Sequence, residues 1–152
     1  MRHPIAILLL LLTFTLPAAA HSFKLDAIDI GHAWARATAA NATVASAYMP
    51  FLNTGTESDT LTSAETPLAN MVMLHETTEE NGIASMRMLE NIALVPGKPV
   101  ALRPGGKHFM LMGLKRQLKE GDTFPMTLHF AKSGNIEIQI MVHAPGDKSP
   151  PH

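Results

Sequence analysis

The sequence contains no cysteine. That excludes disulfides, thiolate nucleophiles, structural zinc of the cysteine type and blue-copper electron transfer, whose site requires a Cys ligand. It also leaves no cysteine for the lipid of a bacterial lipoprotein. Charge is scarce, at 16% of 152 residues and a net of -1. The densest basic run, Lys115-Arg116 with Lys119, is too small for a nucleic-acid surface, so no nucleic-acid partner is expected. There is a single tryptophan, Trp34, read as a core anchor. No segment carries a helical period of useful length. No hydrolase constellation is evident either: Ser, His and Asp occur without a nucleophile-type context.

What the chain does have is apolar content, 46% of its residues, enough for one packed domain. Its N-terminus reads as a targeting segment. Arg2 and His3 form a short positive region, Ile5 to Leu12 an unbroken apolar run, and Pro17 precedes the A-x-A site Ala18-Ala19-Ala20. The run is short of the roughly 20 residues that span a bilayer. Residues 1–20 are therefore predicted to be a signal peptide rather than a stable membrane anchor. Cleavage after Ala20 leaves a mature chain beginning at His21, outside the cytoplasm. Residues 21–143 make the domain. Residues 144–152, with three prolines, are predicted to be a disordered tail.

Within the domain, short apolar stretches alternate with turn signals. Phe23 to Ile30 reads as one half-buried strand with a bulge where the alternation slips phase. Val44 to Met49, Asp59 to Ser63, Ala69 to Leu74, Met86 to Ile92, Val100 to Leu102 and His108 to Leu114 read as strands, and Pro50 marks an edge position or a bulge before Phe51-Leu52. Asn81-Gly82 is a hairpin signal. Met126 to Ala131, just after Pro125, is expected to pair with Ile136 to Val142 across Ser133-Gly134-Asn135. Eight or nine short strands at such spacing suggest a β-sandwich or barrel.

Soft metal ligands concentrate between Met71 and Met112. Side chains two apart on a strand share a face. His108, Met110 and Met112 therefore form one ladder, Met71, Met73 and His75 a second, and Met86 and Met88 a third. Thioether sulfur selects Cu(I), whereas zinc prefers His, Cys and carboxylate, and calcium or magnesium prefer oxygen. Methionine also fills irregular cores. On softness and periodicity alone, a copper site and a Met-packed core both stay open. Met49, Met126 and Met141 are read as core.

His75, ten residues, Met86, twenty-one residues, His108, one residue, Met110 is an H-x10-M-x21-H-x-M pattern. It resembles the PCu(A)C family of periplasmic copper chaperones, with no departure in spacing. The likeness extends to Ala33-Trp34-Ala35-Arg36-Ala37-Thr38, Ala47-Tyr48-Met49, Asn53-Thr54-Gly55, Leu74-His75-Glu76-Thr77, Pro104-Gly105-Gly106 and Leu111-Met112-Gly113-Leu114-Lys115. It covers about residues 28–142. The resemblance implies an all-β, cupredoxin-like Greek-key β-sandwich in the periplasm. It implies one Cu(I) bound by His75, Met86, His108 and Met110. It also implies delivery of copper to cytochrome oxidase, at the CuA centre of subunit II or through a Sco-type chaperone, by a carrier that is not an enzyme. A monomer is expected. Met71, Met73, Met88 and Met112 lie outside the pattern, as an apolar surround or as alternative ligands during transfer.

A second expectation concerns Cu(II). A free N-terminal His21 offers amine and imidazole, and His143 and His152 flank the tail. A storage or resistance protein, or a copper redox protein, using these histidines is the alternative reading. His32 and His129 receive no role. A copper oxidase would need further spaced nitrogen ligands, which the sequence does not offer. A β-sandwich interaction module would leave the methionines in the core.

Overall fold

The computed structural model describes residues 22–148. The predicted signal peptide, 1–20, and residues 149–152 of the predicted tail lie outside them. Among the described residues there are thirteen strands and no helix. They are β1 (Phe23–Leu25), β2 (Ile28–Ile30), β3 (Trp34–Arg36), β4 (Val44–Tyr48), β5 (Pro50–Asn53), β6 (Asp59–Glu65) and β7 (Met71–Glu80). Then follow β8 (Ile83–Leu89), β9 (Ile92–Leu94), β10 (Val100–Ala101), β11 (Lys107–Met112), β12 (Thr123–Phe130) and β13 (Gly134–His143).

Two sheets face each other. One runs β1-β2-β5-β10 and the other β8-β7-β11-β4-β3-β13-β12-β6-β9. The pair makes the cupredoxin-like Greek-key β-sandwich, with β13 returning parallel to β3. Phe51, Phe109, Phe124, Leu61, Leu111, Leu118, Met126 and Leu128 fill the space between them and are at most 2% exposed. Each such side chain contributes roughly 1.5–3 kcal/mol by leaving water. Met49 and Met126 are core, as expected from the sequence, both at 0%. Trp34 is buried at 2%, as an anchor should be, but it and its register partner Met141 lie on the outer face of the large sheet, outside the cluster between the sheets.

The strand count exceeds the sequence reading for local reasons. The phase slip between Phe23 and Ile30 is a hairpin, not a bulge, because Asp26 takes a left-handed φ of 50° and folds β1 back on β2. Pro50 divides another stretch and carries the chain from one sheet into the other. Gly31 passes so close that a Cβ there would lie 2.5 Å from the Pro50 Cγ, which requires glycine. Pro125 lies inside β12 instead of before it. Its carbonyl accepts from the Thr66 hydroxyl at 2.6 Å. The side of the strand it faces is where β6 has already ended, at Glu65 opposite Thr127, so the missing N–H is not needed there. The Asn81-Gly82 turn forms as the sequence indicates, with φ of 52° and 76°, joining β7 to β8. β12 and β13 pair as expected, but the turn between them lies at residues 131–133, and Gly134 and Asn135, read as turn, already pair with Phe130 and His129 inside β13.

Of the predicted tail, residues 144–148 are described. They turn back on β3: Asp147 N–H donates to the Ala144 carbonyl at 3.2 Å, and Arg36 Nε donates to the Asp147 carbonyl at 2.8 Å.

Candidate metal centre

β7 and β11 lie side by side in a register that sets His108 opposite His75, Met110 opposite Met73 and Met112 opposite Met71. Alternation turns Leu74, Phe109 and Leu111 into the core. The histidines and methionines therefore share the outer face. β8 extends that face, with Met88 opposite His75 and Met86 opposite Thr77. The three ladders read from the sequence are thus on three adjacent strands.

The two imidazoles form the centre of this face. Their ring centroids are 5.9 Å apart and the planes stand at 88°. His108 is 5% exposed, with the Tyr48 ring 6.4 Å away. Its Nδ1 lies 3.0 Å from the Gly106 carbonyl, which can only accept, so Nδ1 carries the hydrogen. That fixes the tautomer and leaves Nε2 with a lone pair, the state a metal-ligating histidine needs. At His75 the buried Nδ1 has no hydrogen-bond partner. Burial, and secondarily the neighbouring His108, push the His75 pKa below the ordinary imidazole value. His75 is therefore held neutral, with a ring nitrogen that nothing in the described chain satisfies.

The thioethers lie around this pair at unequal places. Met110 is one pair along from His108 on β11, beside Met73. Met86 is diagonal to His75, toward the opposite end of the strands, and Met88 is the residue directly across from His75. Met86 is 52% exposed and Met88 61%, on the edge strand of the sheet. The structure thus brings His75 and His108 together and puts Met86 and Met110 on either side of them. It also places Met88 closer in register than spacing alone suggests.

Several supporting groups escaped the sequence reading. Glu76, on the reverse face, accepts from Arg87 Nε at 3.0 Å and from Lys107 Nζ at 2.9 Å. The Lys107 bond first, and the Arg87 bond second, hold its carboxyl below the usual range. This row ties β8, β7 and β11 together directly behind the histidines. Trp34 packs against Tyr48 with ring centroids 4.7 Å apart at a 41° tilt, and so backs the ring beside His108. The Gly106 carbonyl lies in Pro104-Gly105-Gly106, a stretch that the family likeness includes without giving its carbonyl a role.

Among the described residues no three His, Asp or Glu side chains are arranged to hold a metal ion. Beside the His75–His108 pair, the side chains that can add further ligands are therefore the thioethers of Met73, Met110, Met86 and Met88. Two neutral imidazoles with methionine suit Cu(I) in ligand softness. Of the terminal histidines, His21 and His152 lie outside the described residues. His143 closes β13 and is 9% exposed.

Fold and site together define a class: a cupredoxin-like β-sandwich that displays a His/Met cluster on the edge of its larger sheet. The chain belongs to the LpqE-like family, which it matches over residues 28–142 and whose description is that of a lipoprotein. A protein of Leifsonia xyli subsp. xyli, Lxx21020, which also carries a lipoprotein name, is 32% identical over 130 residues, covering 84% of this chain and 77% of its own. The fold is shared with solved PCuAC domains. The copper-bound PCuAC domain from PmoF2 is 29% identical, with a TM-score of 0.72 over 82% of this chain and 99% of that one. The Cu(I) form of DR1885 from Deinococcus radiodurans is 30% identical, with a TM-score of 0.64 over 86% of this chain and 85% of that one.

Proposed function

We propose that this protein is an extracytoplasmic copper carrier. It binds one Cu(I) through His75, Met86, His108 and Met110 and releases it to a thiol-bearing acceptor, the CuA site of cytochrome oxidase subunit II or a Sco-type chaperone. The observation that carries this reading is the imidazole pair. One ring has its tautomer set by Gly106 and the other has an unpartnered buried nitrogen, on a methionine-lined face of a fold shared with copper-bound domains.

The chemistry is carriage and ligand exchange. All four ligands are neutral, so the bound ion keeps its single positive charge. No proton need leave a thioether, and His75 is already held neutral. His108 is recessed and anchored, whereas Met86 lies half-exposed on an edge strand. An acceptor thiolate can therefore displace the outer thioethers first and the imidazoles last, passing the ion through mixed-ligand states. Residues 1–20 would direct the chain out of the cytoplasm. There the absence of cysteine keeps the site from being locked into a disulfide.

Anaerobic Cu(I) titration with native mass spectrometry tests the binding step. One ion per chain, lost in His75→Ala and in His108→Ala, is expected. Loading of either variant to the wild-type level would refute it. Incubation of the loaded protein with a reduced CuA domain or a Sco-type dithiol protein tests delivery. Copper remaining on the carrier in the presence of both would refute that part.

A further inference from the structure

A second pair of imidazoles lies on the same outer face, across the aromatic row from the first. His32 Nε2 is 2.9 Å from His143 Nε2. The rings meet nearly edge to face, with centroids 5.1 Å apart and planes at 81°. Trp34 separates this pair from Tyr48 and His108: its ring is 5.6 Å from His143 on one side and 4.7 Å from Tyr48 on the other. We propose that His32 and His143 form a second metal site, which takes divalent copper independently of the Cu(I) site.

Ligand type selects the ion. Two imidazole nitrogens bound cis to a metal at about 2.0–2.1 Å lie roughly 2.9 Å apart at a 90° angle and roughly 3.4 Å apart at a tetrahedral one, and rings 2.9 Å apart reach either spacing with small movements. Among divalent ions a nitrogen site of this kind binds Cu(II) most tightly. Imidazole suits Cu(II), and the remaining positions are open to water. A cavity of about 230 Å³, lined by Phe23, His32, Thr123, Gln139 and Met141 among others, adjoins His32 and gives an ion a route in.

The surroundings prepare His143 for this role. Asp147 Oδ2 lies 3.5 Å from His143 Nδ1, the ring nitrogen away from His32. A carboxylate there favours the hydrogen on Nδ1 and the lone pair on Nε2, the arrangement seen behind many metal-bound histidines. Arg36 holds the turn in place by donating Nε to the Asp147 carbonyl. His143 is 9% exposed and pinned in β13 opposite Arg36, while His32 is half-buried at the mouth of the cavity. The alternative occupant of the 2.9 Å gap is a single hydrogen shared between the rings, with no metal.

The test is an aerobic Cu(II) titration of the full mature chain followed by EPR. It is run on a His75→Ala/His108→Ala background so that the first site contributes nothing. One tetragonal Cu(II) with hyperfine structure from two nitrogens is expected. Adding His32→Gln or His143→Gln should weaken it at least tenfold. Adding Asp147→Asn, which touches no metal, should weaken it about tenfold, as changes behind a ligand do. His32→Gln is the decisive variant because a half-buried position tolerates the change, and an unaltered melting curve confirms the fold. Equal Cu(II) uptake with and without His32→Gln would overturn the proposal and send the ion to the His21 amine or His152. Zn(II) binding as tight as Cu(II) would overturn the assignment of the ion. Because the first site is absent throughout, failure here leaves the Cu(I) reading untouched.

Discussion

Replacing His75 by leucine should make the copper-free protein more stable and unable to hold Cu(I). His75 carries a buried Nδ1 without a partner. A buried polar atom left unsatisfied costs about 1–3 kcal/mol. Leucine is of similar bulk, keeps much of the packing against the neighbouring strands and removes the orphan atom. Packing mismatch returns some of the gain, so a net of about 1 kcal/mol is expected, or about 4 °C in Tm for a domain of this size. His108→Leu supplies the contrast. It strips the Gly106 carbonyl of its 3.0 Å donor in a 5%-exposed position, so the same substitution should destabilise by about 1–3 kcal/mol. Calorimetry of the apo proteins at pH 7.5 with a chelator present reads both effects. Anaerobic competition against a chromophoric Cu(I) chelator reads the metal, and each variant should lose more than the roughly 100-fold that a change behind a ligand costs. An apo His75→Leu protein that melts as far below wild type as His108→Leu would refute the reasoning, because the Nδ1 would then be satisfied and His75 would be a structural residue.

Proton competition should be uneven. The folded His75 pKa lies below the ordinary value of about 6.5, so below that pH the unfolded chain binds more protons and apo stability falls, levelling off below the folded value. Cu(I) affinity should weaken toward acid as His75 takes up a proton, and because its pKa is lowered the loss should set in below the ordinary imidazole value of about 6.5. A flat profile from about pH 7.5 to about pH 5 removes the imidazole assignment. Met86→Leu should weaken Cu(I) binding, whereas Met88→Leu should preserve one ion per chain and slow its passage to a dithiol acceptor; stopped-flow transfer with the opposite ranking would transfer the ligand role to Met88. Asp59→Ala should cost about 2–4 kcal/mol in a thermal melt and leave Cu(I) stoichiometry intact. Its carboxylate accepts from Thr60, Lys132 and Ser133 N–H groups at 2.7, 2.9 and 2.9 Å and from the Ser133 hydroxyl at 2.6 Å. Burial pushes that carboxyl up, but the hydrogen bonds from Ser133, Lys132 and Thr60 together hold its pKa below the usual value. A change under about 0.5 kcal/mol, the level of an ordinary surface substitution, would refute that ledger of bonds.

Much of this was legible from residue order because it is local. The absence of cysteine, the period-two ladders at His75, Met88 and His108, and the Asn81-Gly82 turn are each properties of a few neighbouring positions. Strand periodicity settles which residues share a face, and ligand softness settles which metal that face would suit. The tertiary structure decided what depends on register between strands that are distant in sequence. It set His75 against His108 across thirty-three positions, placed Met88 rather than Met86 opposite His75, and brought His32 within 2.9 Å of His143 over a separation of 111 residues. It also decided protonation. The unpartnered nitrogen of His75 and the fixed tautomer of His108 follow from burial and from one backbone carbonyl, and neither leaves a mark on composition or spacing.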